Sequence, residues 1–151
     1  DLMSFMKNSQ HILVVRERIS MFTLSVVLLG KKAESTARKL IELMKTLPAL
    51  ARKSLTIDNG GEFAAHIMWM EELGIPSYFC DAYASWQKGG VENTNGRLRR
   101  DMPRNTNVQQ LTEEDFDENI LNYNTTPRKA LGWLTPLEIF NRNLDRVALR
   151  A

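Results

Sequence analysis

The residues best suited to chemistry in this 151-residue chain are carboxylates. Asp58 stands where the apolar run Leu55-Thr56-Ile57 ends and Asn59-Gly60-Gly61 begins. Ligands of open α/β sheets gather beyond the carboxyl ends of strands, so an acid at that point is well placed for a site. Asp-Asn-Gly-Gly is also strong turn chemistry, and a turn alone would account for it. Glu92 lies in Trp86-Gln87-Lys88-Gly89-Gly90-Val91-Glu92-Asn93, where a tryptophan, a basic residue and two glycines lead an acid into a helix. With that helix formed, Glu92, Asn95 and Arg99 share a face at i, i+3, i+7. Such a face is either a surface pairing or a site that holds a metal and a phosphate side by side. Asp1 is the third acid. A first strand paired parallel to the strand ending at Asp58, through a right-handed crossover, would set Asp1 beside it; otherwise it is a frayed end.

Two or three crowded carboxylates are costly unless protons or cations neutralise them. Oxygen-only donors suit Mg²⁺ or Mn²⁺ rather than Zn²⁺. Two such ions about 3.5–4 Å apart would clamp the attacking and leaving oxygens of an in-line phosphodiester displacement. The acids therefore point to phosphate-ester chemistry, without choosing among nuclease, transposase and phosphatase. His11 and His66 compete as bases or ligands, but neither has a spaced partner, so both read as structural or surface residues. Cys80 reads as a small buried hydrophobe.

These residues need elements to carry them. Leu2 to Met6, His11 to Val15 and Thr23 to Leu29 read as strands dense in aliphatic and β-branched residues, with a hairpin break near Arg18 to Ser20. After Gly30, the spacing of Ala37, Leu40, Ile41 and Met44 predicts a helix to about Thr46, limited by Pro48. Ser54 to Ile57 reads as a strand, and the next helix carries Phe63, Ile67 and Met70 on one face before Gly74 and Pro76 stop it. Ser77 to Cys80 is a further strand, and Val91 to Met102 a helix that Asn93, Asn95 and Gly96 weaken. Thr112 with Asp115, and Thr135-Pro136 with Glu138, are helix starts with cap, proline and acid in order. A three-strand meander followed by alternating α and β implies a mixed sheet with helices on its faces.

Length and composition fit one domain over residues 1–151: 43% hydrophobic, 25% charged, net charge +2. That net charge is too small to argue for nucleic acid by itself. Lys88, Arg97, Arg99, Arg100 and Arg104 against Glu92 and Asp101 make a local basic excess, which is also what a solvated helix face looks like. A single cysteine excludes an intrachain disulfide and a thiolate metal cluster, and suits a reducing cytoplasm. No apolar run approaches a membrane span and no signal peptide is visible. A start on Asp1 with no initiator Met suggests a trimmed piece of something longer.

Leu55 to Phe63 resembles the second-aspartate motif of DDE transposases and retroviral integrases. Tyr78 to Gly96 resembles the glutamate motif of the insertion-sequence-thirty family, with Ala84 where that motif usually has proline. Asn124 to Gly132 and Thr135-Pro136 resemble that family's downstream block. The resemblance covers nearly the whole chain. It implies a ribonuclease-H-like fold with a five-stranded mixed sheet and helices on both faces. It further implies a catalytic, metal-binding triad of Asp1, Asp58 and Glu92 holding Mg²⁺ or Mn²⁺, in two ions. The implied reaction is cleavage of transposon ends to a 3′-hydroxyl, then attack of that hydroxyl on target DNA. Trp86, Gln87, Lys88, Asn95 and Arg99 are the implied DNA contacts, and pairing two DNA ends implies a dimer or larger assembly. The implied setting is the bacterial cytoplasm at the nucleoid, with no membrane partner. The family's helix-turn-helix region is missing from these residues, so this chain alone is expected to cleave weakly or not at all. The alternatives are a non-catalytic DNA-binding or interaction remnant, and a ribonuclease-H-like nuclease without strand transfer.

Overall fold

A computed structural model describes residues 1–6, 10–82 and 84–148 of the chain. Three strands open it: β1 (Leu2–Ser4), β2 (His11–Arg16) and β3 (Thr23–Leu28), joined antiparallel in the order β1-β2-β3. Leu13 lies opposite Leu2 on one side and Val26 on the other, so β2 is the central strand of the meander. Successive side chains of a strand point to opposite faces. Leu13 thus joins one core with Leu28, while Ile12 and Val14 join another with Met3 and Phe5. A strand buried on both faces needs cover on both, and the helices supply it.

The first face is covered by α1 (Ala33–Lys45), whose Ala37, Leu40, Ile41 and Met44 are all buried as their spacing predicts. Next come β4 (Leu55–Ile57), α2 (His66–Leu73) and β5 (Ser77–Phe79), with β4 and β5 paired parallel in the register Leu55↔Ser77. Gly74 ends α2 in the left-handed region at φ 66°, and its N–H returns to Met70 O. The second face is covered by α3 (Gly89–Leu98), the turn after it and α4 (Glu113–Thr125), through Leu98, Met102, Phe116 and Tyr123. The chain closes with α5 (Pro136–Ala148), and Phe140 from it stacks on Phe22 with ring centroids 4.3 Å apart. Among the described residues no helix is long and apolar enough to cross a membrane.

Several expectations hold in detail. Thr112 and Asp115 form a reciprocal capping box at the start of α4, and Glu138 N–H donates to Thr135 Oγ1 at the start of α5. Others are corrected. Among the described residues five strands are present, but they form two sheets, β1-β2-β3 and β4-β5, and the expected β1–β4 pairing is in neither. Each of these two strands is three residues long, and they meet through side chains, Leu2 packing on the core that holds Leu55 and Ile57. Phe63, Ile67 and Met70 do not form one buried helical face. Phe63 belongs to a separate 3₁₀ turn, so the helical phase restarts at His66 and buries Trp69 instead, leaving Ile67 exposed. Trp69 donates from Nε1 to Ser77 Oγ at 2.7 Å, which ties α2 to β5. Helix α3 begins two residues earlier than expected and ends at Leu98, with Met102 reached by a following turn.

One side chain joins the last third of the molecule to the first. Asn124, on α4, accepts from Thr23 N–H at 2.9 Å and donates to Thr23 O at 2.8 Å, with both residues buried. Leaving a buried donor or acceptor unpaired costs about 1–3 kcal/mol. Asn124→Ala is therefore expected to lower the unfolding free energy by roughly 2–4 kcal/mol, since it orphans one of each. Urea denaturation measures it, and a loss below about 0.5 kcal/mol would show that the clamp contributes nothing.

Candidate active site

The three acids reach one place by three routes. Asp1 is pinned through its backbone, because its carbonyl accepts from Val14 N–H at 2.9 Å in continuation of the β1–β2 ladder. Asp58 leaves β4 into a tight turn, where its Oδ1 accepts from Gly60 N–H at 3.0 Å. Asn59 then donates to Cys80 O at 3.0 Å, locking the ends of β4 and β5 together. A Cβ on Gly60 would lie 2.9 Å from Asp58 Oδ1 and 2.7 Å from Glu62 Oε2, so any larger residue there would push these two carboxylates from their present positions. Glu92 sits in the first turn of α3, the end whose free N–H groups favour an anion.

All three converge on the ammonium of Lys88. Its Nζ lies 2.8 Å from Asp58 Oδ2, 3.7 Å from Asp1 Oδ1 and 3.9 Å from Glu92 Oε1. Asn95, one turn along α3, donates from Nδ2 to Asp1 Oδ2 at 2.7 Å and orients that carboxylate. Burial alone would push the Asp58 carboxyl up, but hydrogen bonds from Lys88 and Gly60 N–H outweigh it and hold the group below its ordinary 3.8. The bond to Asp58 raises the Lys88 ammonium above its ordinary value, against the effect of burial.

The other expected contacts divide. Trp86 is 77% exposed and stands free beside the site. Gln87 is spent within its own loop, accepting from Asp81 N–H and donating to Asp81 Oδ2, each at 2.8 Å. Arg99 donates from Nη2 to Ser4 O at 2.6 Å and lies 4.4 Å over the Phe5 ring, while its shielded Nη1 has no partner. It lines a groove of about 440 Å³ with Leu2, Ser4, Glu92, Asn95 and Arg104. Burial lowers the Arg99 pKa, and neighbouring Arg104 lowers it further.

Sequence reasoning gave no site role to three residues found here. Glu62 abuts Asp58 across Gly60, and its place four residues later in the same motif was the available signal. Arg104 counted only toward a charge excess, yet it faces the groove. Arg16, at the end of β2, fills the space left by Gly90, where a Cβ would lie 2.6 Å from its Nη1. Nothing local in the sequence signals that last contact.

The donor set is hard oxygen, and a cation stands at its focus, so the residues fit a divalent ion in charge and in ligand type. The carboxylates are spread around the ammonium, and among the described residues no three acids, histidines or cysteines stand at metal-binding spacing.

A pH dependence follows from the lowered Asp58 pKa. A carboxylate whose folded pKa is depressed contributes stability above its unfolded value and loses it as pH falls through the folded value. With chelator present, the wild-type chain is expected to lose unfolding free energy relative to Asp58→Asn between pH 6 and pH 3. Parallel denaturation curves at several pH values test this, and a constant difference over that range would refute it.

No protein-family model matches the chain. It is 40% identical over 144 residues to the transposase InsI of insertion sequence element IS30A from Escherichia coli, covering 95% of this chain and 37% of that protein. It is 34% identical over 139 residues to the transposase of IS1086 from Cupriavidus metallidurans, covering 92% and 41%. A third relative, the transposase of IS4351 from Bacteroides fragilis, is 35% identical over 137 residues. The chain spans about two fifths of the length of these curated relatives. Among solved structures, the catalytic core domain of BIV integrase superposes with a TM-score of 0.75 at 22% identity, covering 97% of this chain and 93% of that one. Over the stretch it shares with them, the chain is a homologue of the IS30-type transposases, built on the fold of an integrase catalytic core.

Proposed function

We propose that the chain is the catalytic core of a DDE-type DNA transposase, cutting phosphodiester bonds at transposon ends and transferring the 3′-hydroxyl into target DNA. The observation that carries this reading is the convergence of Asp1, Asp58 and Glu92, from three separate segments, within 4 Å of one nitrogen. Similarity to named transposases and to an integrase core supports it.

Asp1, Asp58 and Glu92 would hold divalent magnesium or manganese, two ions in the full reaction. Those ions would supply Lewis-acid stabilisation of charge on the phosphoryl oxygens. The protein's own residues do the positioning. Asn95 fixes the Asp1 carboxylate, and Gly60 N–H with the Asn59 bridge fixes Asp58. Arg99 keeps its hold on Ser4 O through Nη2, and its guanidinium lends positive charge to the groove that a backbone phosphate would enter. Arg104 adds charge on the same groove, and exposed Trp86 offers a face for an unstacked base. In the first step water attacks phosphorus and the strand leaves with a free 3′-hydroxyl. In the second step that hydroxyl forms a new bond to a target phosphorus, and the target's own 3′-oxygen departs. No bond to the protein forms in either step. Pairing two ends calls for at least two copies of the chain on DNA, in a bacterial cell at the nucleoid.

At high protein concentration with Mn²⁺, the expected result is weak nicking of duplex DNA leaving 3′-hydroxyl ends. Asp58→Asn and Glu92→Gln are each expected to reduce it by roughly 10³-fold or more, the scale of losing one member of a unit that acts together. Gel analysis of end-labelled duplex measures this. Nicking that survives both substitutions would belong to a different site or a contaminant. Cuts without any joined product would favour a nuclease.

A further inference from the structure

Lys88 was expected to meet DNA, but its ammonium is turned inward among the three acids. We propose that Lys88 is a built-in counter-cation of the acid cluster, which a divalent ion must evict and which then becomes free to hold the substrate phosphate. This rests on the reading of the cluster as a metal site.

The argument is one of space and charge. An ammonium has three donors and no acceptor, and here it has a carboxylate oxygen within 4 Å on each of three sides. Its hydrogen bond is to Asp58 Oδ2, an oxygen that would ligate a magnesium ion at about 2.0–2.1 Å. An ammonium and a dication held on the same carboxylate repel each other, and each weakens the other's hold on that oxygen. Of the two, the lysine has the means to leave. Its charge rides on a flexible four-carbon stem that is 28% exposed. It stands immediately before Gly89-Gly90, at the N-terminal end of α3, where the helix itself disfavours a cation. The acids are therefore what hold it inward.

Two consequences follow. The acids stay assembled without metal, since their mutual repulsion is offset from within the chain. The metal-bound site also gains a mobile positive charge next to Trp86, with which Lys88 lines a second cavity alongside Asp1 and Arg16. Coupling of this kind is reciprocal, so whatever Lys88 takes from metal affinity, metal takes from the Lys88 contacts.

The test uses Mn²⁺ alone, with free ion followed by electron paramagnetic resonance, on wild type, Lys88→Met, Lys88→Arg and Asp58→Asn. Lys88→Met is expected to bind Mn²⁺ roughly 5-fold more tightly or better, the lower end of ordinary site-to-site coupling. Lys88→Arg should stay at or below wild type, because the charge is kept. Asp58→Asn should lose binding. Equal or weaker binding by Lys88→Met, with Asp58→Asn still defective, overturns the counter-cation while leaving the metal site standing. Undiminished binding by Asp58→Asn overturns both. Should Lys88→Met not fold, the wild-type chain answers by itself: saturating Mg²⁺ should speed acylation of the Lys88 amine, read by peptide mass spectrometry. An unchanged rate overturns the proposal.

Discussion

Everything at this site follows from the need to hold three like charges together. Two unit charges 4 Å apart repel by about 4 kcal/mol at the effective dielectric of a protein surface, and a third compounds it. A chain free to move would spread Asp1, Asp58 and Glu92 apart. The fold prevents this by fixing backbone rather than side chains. Asp1 is held by the β1–β2 ladder, Asp58 by its turn and the Asn59 bridge to β5, and Glu92 by the first turn of α3. Lys88 then lowers the remaining cost at the focus. Backbone sets where the acids are, and one side chain makes the arrangement tolerable.

The backbone can do this because the meander is buried on both faces. Ile12, Leu13 and Val14 are three consecutive residues with almost no exposure, so β2 cannot slip register without moving one core's residues into the other. With β2 fixed, the Val14 N–H fixes Asp1, and Arg16 at the far end of the same strand meets α3 through the space at Gly90. Rigidity of the central strand is thereby passed to two of the three acid-bearing segments. The third is coupled more loosely, because β4 and β5 form their own ladder and, among the described residues, meet the meander through packing.

The parts of this legible in the sequence were those written in local spacing. The face of α1, the caps of α4 and α5, and the acids at a strand end and a helix start all depend on neighbours a few residues away. The parts that were not legible depend on distant partners. Ile67 fits an apolar helical face by count, but a 3₁₀ turn at Gly61–Phe63 resets the phase and Trp69 takes the buried position. The inward turn of Lys88 depends on Asp1 and Asp58, which lie far from it in sequence. Arg99 and Gln87 look equally available to DNA on paper. In the structure one is half committed to Ser4 O and Phe5, and the other wholly to Asp81.

That difference between the basic residues bears on how such a site can be both stable and ready. Arg99 is anchored through Nη2 on Ser4 O and over the Phe5 ring, so it contributes a fixed charge to the groove whatever the metal content. Lys88 has its strongest hydrogen bond where a metal ligand would stand, so its availability depends on what else fills the cluster. A fixed arginine suits orientation, since its planar fork loses little entropy on binding a phosphate. A lysine suits exchange, since a compact charge on a flexible stem gives up one set of oxygens for another at small geometric cost. Exchanging the two residue types would put the rigid fork at the focus, where it could neither match three separate carboxylates nor leave easily. The choice of lysine at position 88 and arginine at position 99 therefore follows from the different work each place demands.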